Sequence, residues 1–524
     1  MSFHDSPLLI RRFGERLSAT QLIETHISWV LLAGERAYKI KKPVDLGFVD
    51  FSTLERRRHF CQEELRLNRR LAPEIYREVL PITGTPDAPA AGGDGEPIEY
   101  AVVMRRFPQE ALVSRVLERG ELRPEHVDGL AAEIADFHSR VAVAGPASPF
   151  GTPESVRLPV EENFRHLDRI DSAAQSGRAQ QLARLRAWSE REFAARRGDF
   201  VARKQAGFVR ECHGDMHLGN MILEGGAVTI FDCIEFNESF RWIDVASELA
   251  FTVMDLADRG RPAYANRLLN AYLEATGEYE GLRVLPFYLT YRALVRAKVA
   301  ALRLDQPGLS HEEQAILHDE LDSYLALAEQ STQPRRPFLA ITHGFSGSGK
   351  TRGTQCLVEE FGAVRIRSDV ERKRLFGLQP LDRIAPARTA ELYAADASRQ
   401  TYVRLGELAG TVLGADFAVV VDATFLHRSG RDEFRALADR CGVPFLIVDF
   451  HAPERVLIER VSRRAHAGQD ASDAGVDVLS QQLRSHEPLT ADEQRLAIAV
   501  ASTEPQSEAL LIAAVRARTA GGHS

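Results

Sequence analysis

The stretch that most constrains the fold is a glycine-rich loop that follows an apolar run, FLAITHGFSGSGKT, from Phe338 to Thr351. The apolar run predicts a buried strand, and the segment after the loop predicts a helix. Because the loop matches the GxxxxGK[ST] pattern, its amides and the helix N-terminus should attract phosphates, its lysine should reach the outer phosphates, and its threonine hydroxyl can ligate Mg²⁺. The residues predicted to bind nucleotide are Gly344, Ser346, Gly347, Ser348, Gly349, Lys350 and Thr351.

The length of the chain predicts more than one domain. With 524 residues, the chain exceeds what a single hydrophobic core usually organises. A polar segment with two prolines, QSTQPRRP from Gln330 to Pro337, interrupts the helical pattern before the glycine-rich loop. We therefore expect a first domain over residues 1–330, a linker over 331–337 and a second domain over 338–524.

The composition indicates which cellular compartment and which kinds of partner to expect. A net charge of -8 and a pI near 6.1 argue against general nucleic-acid binding. The five cysteines are scattered without paired spacing, which is typical of a reducing cytoplasm. No apolar run approaches the ~18 residues that a membrane span requires. We expect a cytoplasmic protein with no membrane partner, and the sequence leaves the oligomeric state open.

A second chemical motif lies in FVRECHGDMHLGNMILEGGAVTIFDCIEF, from Phe208 to Phe236. The pattern predicts a strand, a polar loop, and two further strands around a Gly-Gly turn. Asp215 in the loop can accept a proton from a hydroxyl group. Asn220, and Asp232 at the end of the last strand, offer the hard oxygen ligands that Mg²⁺ prefers. These three residues predict a phosphoryl-transfer site.

Two other interpretations of this loop stay open. His213 and His217 could bind zinc, although Zn²⁺ needs a third close ligand and the nearby oxygen groups suit Mg²⁺ better. The loop could also be an ordinary turn, in which Asp and Asn make local hydrogen bonds.

Charged residues near the N-terminus complement this motif. Two short β-like runs have the spacing of a hairpin, and the second carries Lys39 and Lys41 on one face. Either lysine could reach a nucleotide phosphate, and Glu64 in a predicted helix could pair with one of them. Taken alone, such lysines are more often solvated and such a glutamate more often forms an intrahelical ion pair.

The pattern HGDxHxxN, followed by an aspartate that closes a strand, resembles the aminoglycoside phosphotransferase and choline kinase branch of the protein-kinase-like fold. The resemblance spans about residues 29–327 and implies an α+β domain. It implies that Asp215 is the catalytic base, that Asn220 and Asp232 hold Mg²⁺, and that His213 orients the loop.

The same resemblance implies that Lys39 or Lys41 pairs with Glu64 to hold the ATP phosphates, without deciding which lysine does so. It also implies that Asp244 is the structural aspartate at the head of the following helix.

The second half of the chain alternates apolar runs with helical segments. This alternation predicts an α/β domain with a parallel sheet. Asp369 follows one predicted strand and Asp422 ends another. Because ligands of parallel sheets gather at the carboxyl ends of the strands, we expect both aspartates to lie near the glycine-rich loop.

This half resembles the P-loop (AAA-type) kinases of small molecules and polynucleotides, a group that includes gluconate kinase, polynucleotide kinase and zeta toxins. The resemblance implies that Asp369 is the base on the acceptor hydroxyl and that Arg372 contacts the acceptor. It further implies that Asp422 organises Mg²⁺ and that Arg463 and Arg464, near a lid, clamp ATP.

We therefore expect a bifunctional ATP-dependent phosphotransferase that uses ATP and Mg²⁺ at two sites and acts on hydroxyl groups of small metabolites. Three alternatives remain: a P-loop half that is a regulatory module, a first half that is catalytically idle, and a nucleic-acid 5′-end kinase, which the acidic balance disfavours. An aminoglycoside acceptor does not follow, because no acidic cluster that would attract a polycation is evident.

Overall fold

The computed structural model describes residues 7–47, 49–170, 176–306, 308–380, 382, 392, 394–467, 471–472, 474–504 and 506–519. These residues form two compact units. Unit 1 contains residues 1–255 and 291–322, and unit 2 contains residues 256–290 and 323–524. This division by contacts differs from the limits 1–330 and 338–524, which remain a prediction about the domain boundaries.

Unit 1 begins with a six-stranded antiparallel sheet in the order β1-β2-β3-β6-β4-β5. Helix α1 packs on one face of the sheet through Ile10 and Phe13, and helix α2 packs on the other through Cys61. Thr53 caps α2 by accepting a hydrogen bond from the amide of Arg56. The elements are α1 (Leu8–Arg16), β1 (Gln21–Glu24), β2 (Ser28–Ala33), β3 (Arg36–Lys41), α2 (Leu54–Asn68), β4 (Tyr76–Thr85), β5 (Ala88–Ala91) and β6 (Glu99–Arg105).

The rest of unit 1 is mainly helical and contains two small antiparallel ladders. Strand β8 pairs with β9, and β10 pairs with β7. The loop that carries the HGDxHxxN motif connects β7 to β8. The elements are α3 (Val113–Glu118), α4 (Pro124–Arg140), α5 (Pro153–Ile170), α6 (Ser176–Gln205), β7 (Val209–Glu211), β8 (Met221–Glu224), β9 (Ala227–Ile230), α7 (Glu238–Arg241), β10 (Trp242–Asp244) and α8 (Val245–Asp258).

The following helices are α9 (Pro262–Thr276), α10 (Leu285–Leu304) and α11 (His311–Ser331). Of these, α9 belongs to unit 2. Asn266 of α9 donates a hydrogen bond to the carbonyl oxygen of Glu359 (3.0 Å), and Asn270 accepts one from the amide of Arg365 (2.7 Å). Residues that precede the glycine-rich loop by about 80 positions therefore complete the same folding unit.

Unit 2 is built on a five-stranded parallel sheet in the order β12-β13-β11-β14-β15. Apart from β12, which carries Arg365 and Arg367, its strands are mainly apolar, as is typical of a parallel sheet with helices on both faces. The elements are β11 (Leu339–His343), α12 (Lys350–Gly353), α13 (Gln355–Phe361), β12 (Val364–Arg367), α14 (Ser368–Leu375), α15 (Ala395–Gly414), β13 (Val419–Asp422), α16 (Arg428–Cys441), β14 (Phe445–His451), α17 (Glu454–Ala467), α18 (Val476–Ser485), α19 (Ala491–Leu496), β15 (Ala497–Ala501) and α20 (Ser507–Thr519).

The architecture agrees with the predicted fold classes, an α+β first domain and an α/β second domain with a parallel sheet. Among the described residues, no helix combines the length and the apolar character that a membrane crossing demands.

Candidate functional site

The first candidate site is centred on Asp215 in the loop between β7 and β8. Asn220 Nδ2 donates to the Asp215 Oδ2 atom and to the Asp215 backbone oxygen, each at 3.0 Å. His217 Nε2 lies 3.4 Å from the same Oδ2. Burial alone would raise the pKa of Asp215, but His217 and Arg296 hold it well below its ordinary value. Asp215 is therefore an ionised carboxylate at neutral pH, and its side chain is still 36% exposed.

His213 joins this loop to the segment that carries Asp232. Its Nδ1 accepts the amide of Asp215 (3.3 Å), and its Nε2 lies 2.9 Å from the backbone oxygen of Phe231. The amide of Phe231 in turn donates to the backbone oxygen of Asn220 (2.9 Å). Asp215, Asn220 and Asp232 thus belong to one connected cluster. The His213 ring nitrogens are engaged in the loop, which does not favour the zinc interpretation.

The two lysines of β3 share one carboxylate but differ in exposure. Lys39 Nζ lies 2.9 Å from Glu64 Oε1 and 2.7 Å from Asp232 Oδ1. Lys41 Nζ lies 2.6 Å from Glu64 Oε2, contacts Glu235, and is completely buried. Burial alone would raise the pKa of Glu64, but Lys39 and Lys41 lower it to about 2. The structure therefore brings Lys39 to the cluster, whereas Lys41 lies behind it as the cation for two buried carboxylates.

The backbone at Asp232 has a conformation that the sequence does not reveal. Its φ is +65°, in the left-handed region that residues with a side chain seldom adopt. Its amide donates to the hydroxyl of Tyr76 (3.2 Å). The side chain remains 42% exposed beside Lys39. Such strain is concentrated at functional positions, which is consistent with the predicted role of Asp232.

Buried residues outside the motif hold the loop in place. Both carboxylate oxygens of Glu248 in α8 accept the amide of His213 (2.9 and 3.0 Å), and one also accepts the amide of Gly214 (2.6 Å). His138 Nε2 lies 3.1 Å from Glu248. The guanidinium of Arg292 donates to the Gly214 oxygen (3.2 Å). Sequence reasoning missed Glu248 and Arg292, because their positions in helices carry no local sign of these contacts.

Asp244 has the structural role that the resemblance implied. Two nitrogens of Arg203 donate to its carboxylate oxygens, each at 2.7 Å, and both side chains are buried. The Asp244 carboxylate also accepts the amide of Ala246 at the start of α8 (2.8 Å).

The second candidate site is the glycine-rich loop between β11 and α12. Gly344, Gly347 and Gly349 all have positive φ, and a Cβ atom at Gly344 would lie 2.6 Å from the backbone oxygen of Phe450. The glycines are therefore required by the backbone conformation. Lys350 Nζ donates to the backbone oxygens of Gly344 (2.9 Å) and Phe345 (2.8 Å).

Acidic residues at the ends of two strands lie near this loop. The Thr351 hydroxyl donates to Asp422 Oδ2 (2.6 Å). Burial lowers the pKa of Lys350 to about 8, although Asp422 and Asp369 act to raise it. Arg372 Nη1 donates to Asp369 Oδ1 (2.8 Å). Burial alone would raise the pKa of Asp369, but Arg372 lowers it below its ordinary value. Asp369 and Asp422 thus lie within electrostatic reach of Lys350.

Three of the four arginines of α17 have different environments. Arg463 is 73% exposed and pairs with Glu459. Arg464 donates to the backbone oxygen of Ala474 (3.2 Å) and acts electrostatically on both Lys350 and Asp369. Arg460, which sequence reasoning missed, donates to the backbone oxygen of Gly347 (3.2 Å). The structure therefore associates Arg464 and Arg460 with the loop, and turns Arg463 towards solvent.

The side chains at both sites fit Mg²⁺. Asn220 directs its Nδ2 at Asp215, so its amide oxygen points elsewhere, and the Asp232 carboxylate is partly exposed. At the second site, the Thr351 hydroxyl and the Asp422 carboxylate are already adjacent. Hydroxyl, amide and carboxylate oxygens are the hard ligands that Mg²⁺ prefers.

Comparisons with known proteins give relatives that cover most of the chain and solved structures that are similar to parts of it. An uncharacterized protein of Mycobacterium tuberculosis is 29% identical over 453 residues, which cover 86% of this chain and 87% of the relative. A gluconokinase structure from Sinorhizobium meliloti is 23% identical and covers 35% of this chain and 95% of its own, with a TM-score of 0.26. A choline/ethanolamine kinase family structure from Mesorhizobium loti is 13% identical and covers 62% and 99%, with a TM-score of 0.35.

Family models match the two halves separately. The model of the phosphotransferase enzyme family matches residues 49–285, and the model of an AAA domain matches residues 339–489. The two matches agree with the two resemblances found in the sequence and with the two observed folds. Residues 49–285 are thus similar to the phosphotransferase enzyme family, and residues 339–489 are similar to an AAA domain.

Proposed function

We propose that the chain is a bifunctional kinase that transfers the γ-phosphate of ATP to a hydroxyl group of a small metabolite at each of two sites. One observation carries the proposal: each unit separately gathers a lysine, a carboxylate suited to be a base, and oxygen ligands suited to Mg²⁺. These are the parts that phosphoryl transfer needs, because catalysis depends on positioning and on charge neutralisation.

At the first site, Asp215 accepts the proton of the acceptor hydroxyl while the oxygen of that hydroxyl forms a bond to the γ-phosphorus. The bond between the γ-phosphorus and the bridging oxygen breaks, and ADP leaves. Lys39, held by Glu64, contacts the phosphates, and Asn220 and Asp232 hold Mg²⁺. When bound, Mg²⁺ supplies positive charge that offsets the charge of the phosphate oxygens.

At the second site, Asp369 accepts the proton of the other acceptor hydroxyl, and Arg372 orients Asp369 or the acceptor. The loop amides and Lys350 bind the phosphates, while Thr351 and Asp422 hold Mg²⁺. This role for Asp369 favours a second kinase over a regulatory module, since a module that only binds ATP needs no acceptor base.

The proposed compartment is the cytoplasm, because all five cysteines are free thiols and four of them are buried. The acceptors are proposed to be small molecules, in line with the kinase families that each half resembles.

The full chain is the appropriate material for the test, because residues 256–290 belong to unit 2. We would screen a metabolite panel for ADP release and for mass gain of one phosphate with wild type, Asp215→Ala, Asp369→Ala and the double variant. Asp396→Ala, which changes an exposed carboxylate of α15, is the matched control.

The proposal expects each single variant to lose a different product and the double variant to lose both. If Asp369→Ala leaves every product unchanged, the second site is not a kinase and the regulatory alternative stands. If Asp215→Ala leaves every product unchanged, the first half is catalytically idle.

A further inference from the structure

Three consecutive residues at the centre of the glycine-rich loop contact the helical hairpin formed by α17 and α18. The Phe345 side chain packs against a buried apolar cluster of Leu457, Val461 and Leu479. The backbone oxygen of Gly347 accepts a hydrogen bond from Arg460 Nη1 (3.2 Å). The contacts on both sides of Ser346 therefore fix the loop against the hairpin.

Ser346 itself is bound by the side chain of Gln482 in α18. The Ser346 amide donates to Gln482 Oε1 (2.9 Å), and Gln482 Nε2 donates to the Ser346 hydroxyl (3.1 Å). Ser346 is only 7% exposed. One carboxamide thus binds both the backbone and the side chain of a loop residue, which determines the orientation of the peptide and of the hydroxyl group.

Gln482 lies at the end of the loop where the outer phosphates belong. Lys350 Nζ donates to the backbone oxygens of Gly344 and Phe345, the two residues immediately before Ser346. In loops of this pattern the lysine reaches the β- and γ-phosphates. A γ-phosphate bound by Lys350 at this place would therefore lie near Ser346, the next residue of the loop.

We propose that Gln482 is a positioning residue that sets the specificity of the second site for ATP over ADP, by fixing the amide and the hydroxyl of Ser346 beside the terminal phosphate. This proposal rests on the proposed function only in requiring that the loop binds a nucleotide. Gln482 also gives α18, which comes after Arg464 in the chain, a direct hydrogen-bond contact with the glycine-rich loop.

The test uses the full chain and measures the affinities for MgATP and MgADP by titration calorimetry. Nucleotide binding that is present in wild type and absent in Lys350→Ala is assigned to the glycine-rich loop. The variants are Gln482→Ala, Gln482→Glu and the control Gln481→Glu, which adds the same charge on an exposed position of the same helix. Thermal unfolding is recorded for each variant.

We expect Gln482→Ala to reduce the ratio of ATP to ADP affinity. We expect Gln482→Glu to reduce this ratio by about tenfold at low salt and by less at high salt, because a carboxylate beside the terminal phosphate repels it. Gln481→Glu should change the ratio by less than about twofold, since its charge is screened by solvent.

Equal losses of ATP and ADP affinity in the Gln482 variants, with lowered thermal stability, would mean that Gln482 is only structural, and the proposal would be wrong. The same conclusion follows if Gln482→Glu behaves like Gln481→Glu. If Lys350→Ala removes no nucleotide binding at all, the function proposed for the second site fails, and this inference fails with it.

Discussion

Replacing Glu248 by glutamine tests how the loop of unit 1 that carries Asp215 is held. Glu248 is fully buried and accepts the amides of His213 and Gly214, while His138 Nε2 lies 3.1 Å away. Glu248→Gln keeps the shape and one acceptor oxygen but removes the negative charge. The loop amides and His138 then lose a charge-assisted partner.

The magnitude follows from the pKa of Glu248. Burial alone would raise this pKa above its ordinary 4.5, but His138, His213 and the loop amide lower it to about 2. A fall of that size corresponds to about 3 kcal/mol of stabilisation of the charged form. Because the pKa is lower in the folded state, the contribution is fully present above pH ~4.5 and disappears as the pH falls towards ~2.

The assay is hydrogen exchange of segments from unit 1 in increasing urea, because a chain with two units need not unfold in a single transition. At pH 7, we expect Glu248→Gln to lower the free energy of opening around residues 209–224 by about 3 kcal/mol. Glu133→Gln in α4, whose side chain is 39% exposed, is the control and should change this free energy by less than about 0.5 kcal/mol. The difference between wild type and Glu248→Gln should shrink below pH ~4.5.

If Glu248→Gln lowers the free energy of opening at pH 7 by no more than the control variant does, the reasoning is refuted. A large cost that stays constant down to pH ~3 also refutes it, since the loss would then come from packing and not from charge.

Three further predictions concern single side chains. Lys39→Met should abolish the phosphoryl transfer that depends on Asp215, which product analysis would show. Lys41→Met should lower the free energy of unfolding by about 3–5 kcal/mol, measured by urea unfolding, because it leaves buried carboxylates without their cation. Arg464→Ala should lower the turnover of the second site by at least about tenfold, and Arg463→Ala should not change it, as steady-state kinetics would show. Asn270→Ala should destabilise unit 2 by about 1–3 kcal/mol, measured by exchange of β12 amides, because the buried amide of Arg365 loses its acceptor.

The geometry that the sequence could foresee rests on contiguous motifs and on one general rule of parallel sheets. The glycine-rich loop requires glycines at positions of positive φ, and Gly344, Gly347 and Gly349 adopt that conformation. The expectation that Asp422 lies near the glycine-rich loop came from a general rule, that the carboxyl ends of parallel strands meet at one edge of a sheet, and the structure adds the contact with Thr351. In unit 1, Asn220 contacts Asp215 because the spacing between them fits one short loop.

The predictions that stayed open depended on residues far apart in the chain. The sequence offered Lys39 and Lys41 as equivalent candidates on one face of a strand. Only the structure distinguishes them, because Lys39 pairs with Asp232 at the cluster and Lys41 is buried against Glu235. The left-handed backbone conformation of Asp232 is also visible only in the structure, because the residue at this position is not a glycine, which would have indicated a positive φ.

The sequence by itself determined the chemistry that we propose for this protein, because phosphate loops and clusters of a base with oxygen ligands are local patterns whose residue types and spacing follow from what they bind. The tertiary structure alone decided which parts of the chain support that chemistry. Packing over long sequence separations makes three such contacts. Glu248 accepts the amide of His213, Gln482 accepts the amide of Ser346, and Asn270 of α9 accepts the amide of Arg365. Helical residues that make such contacts have the same local pattern as those that face solvent.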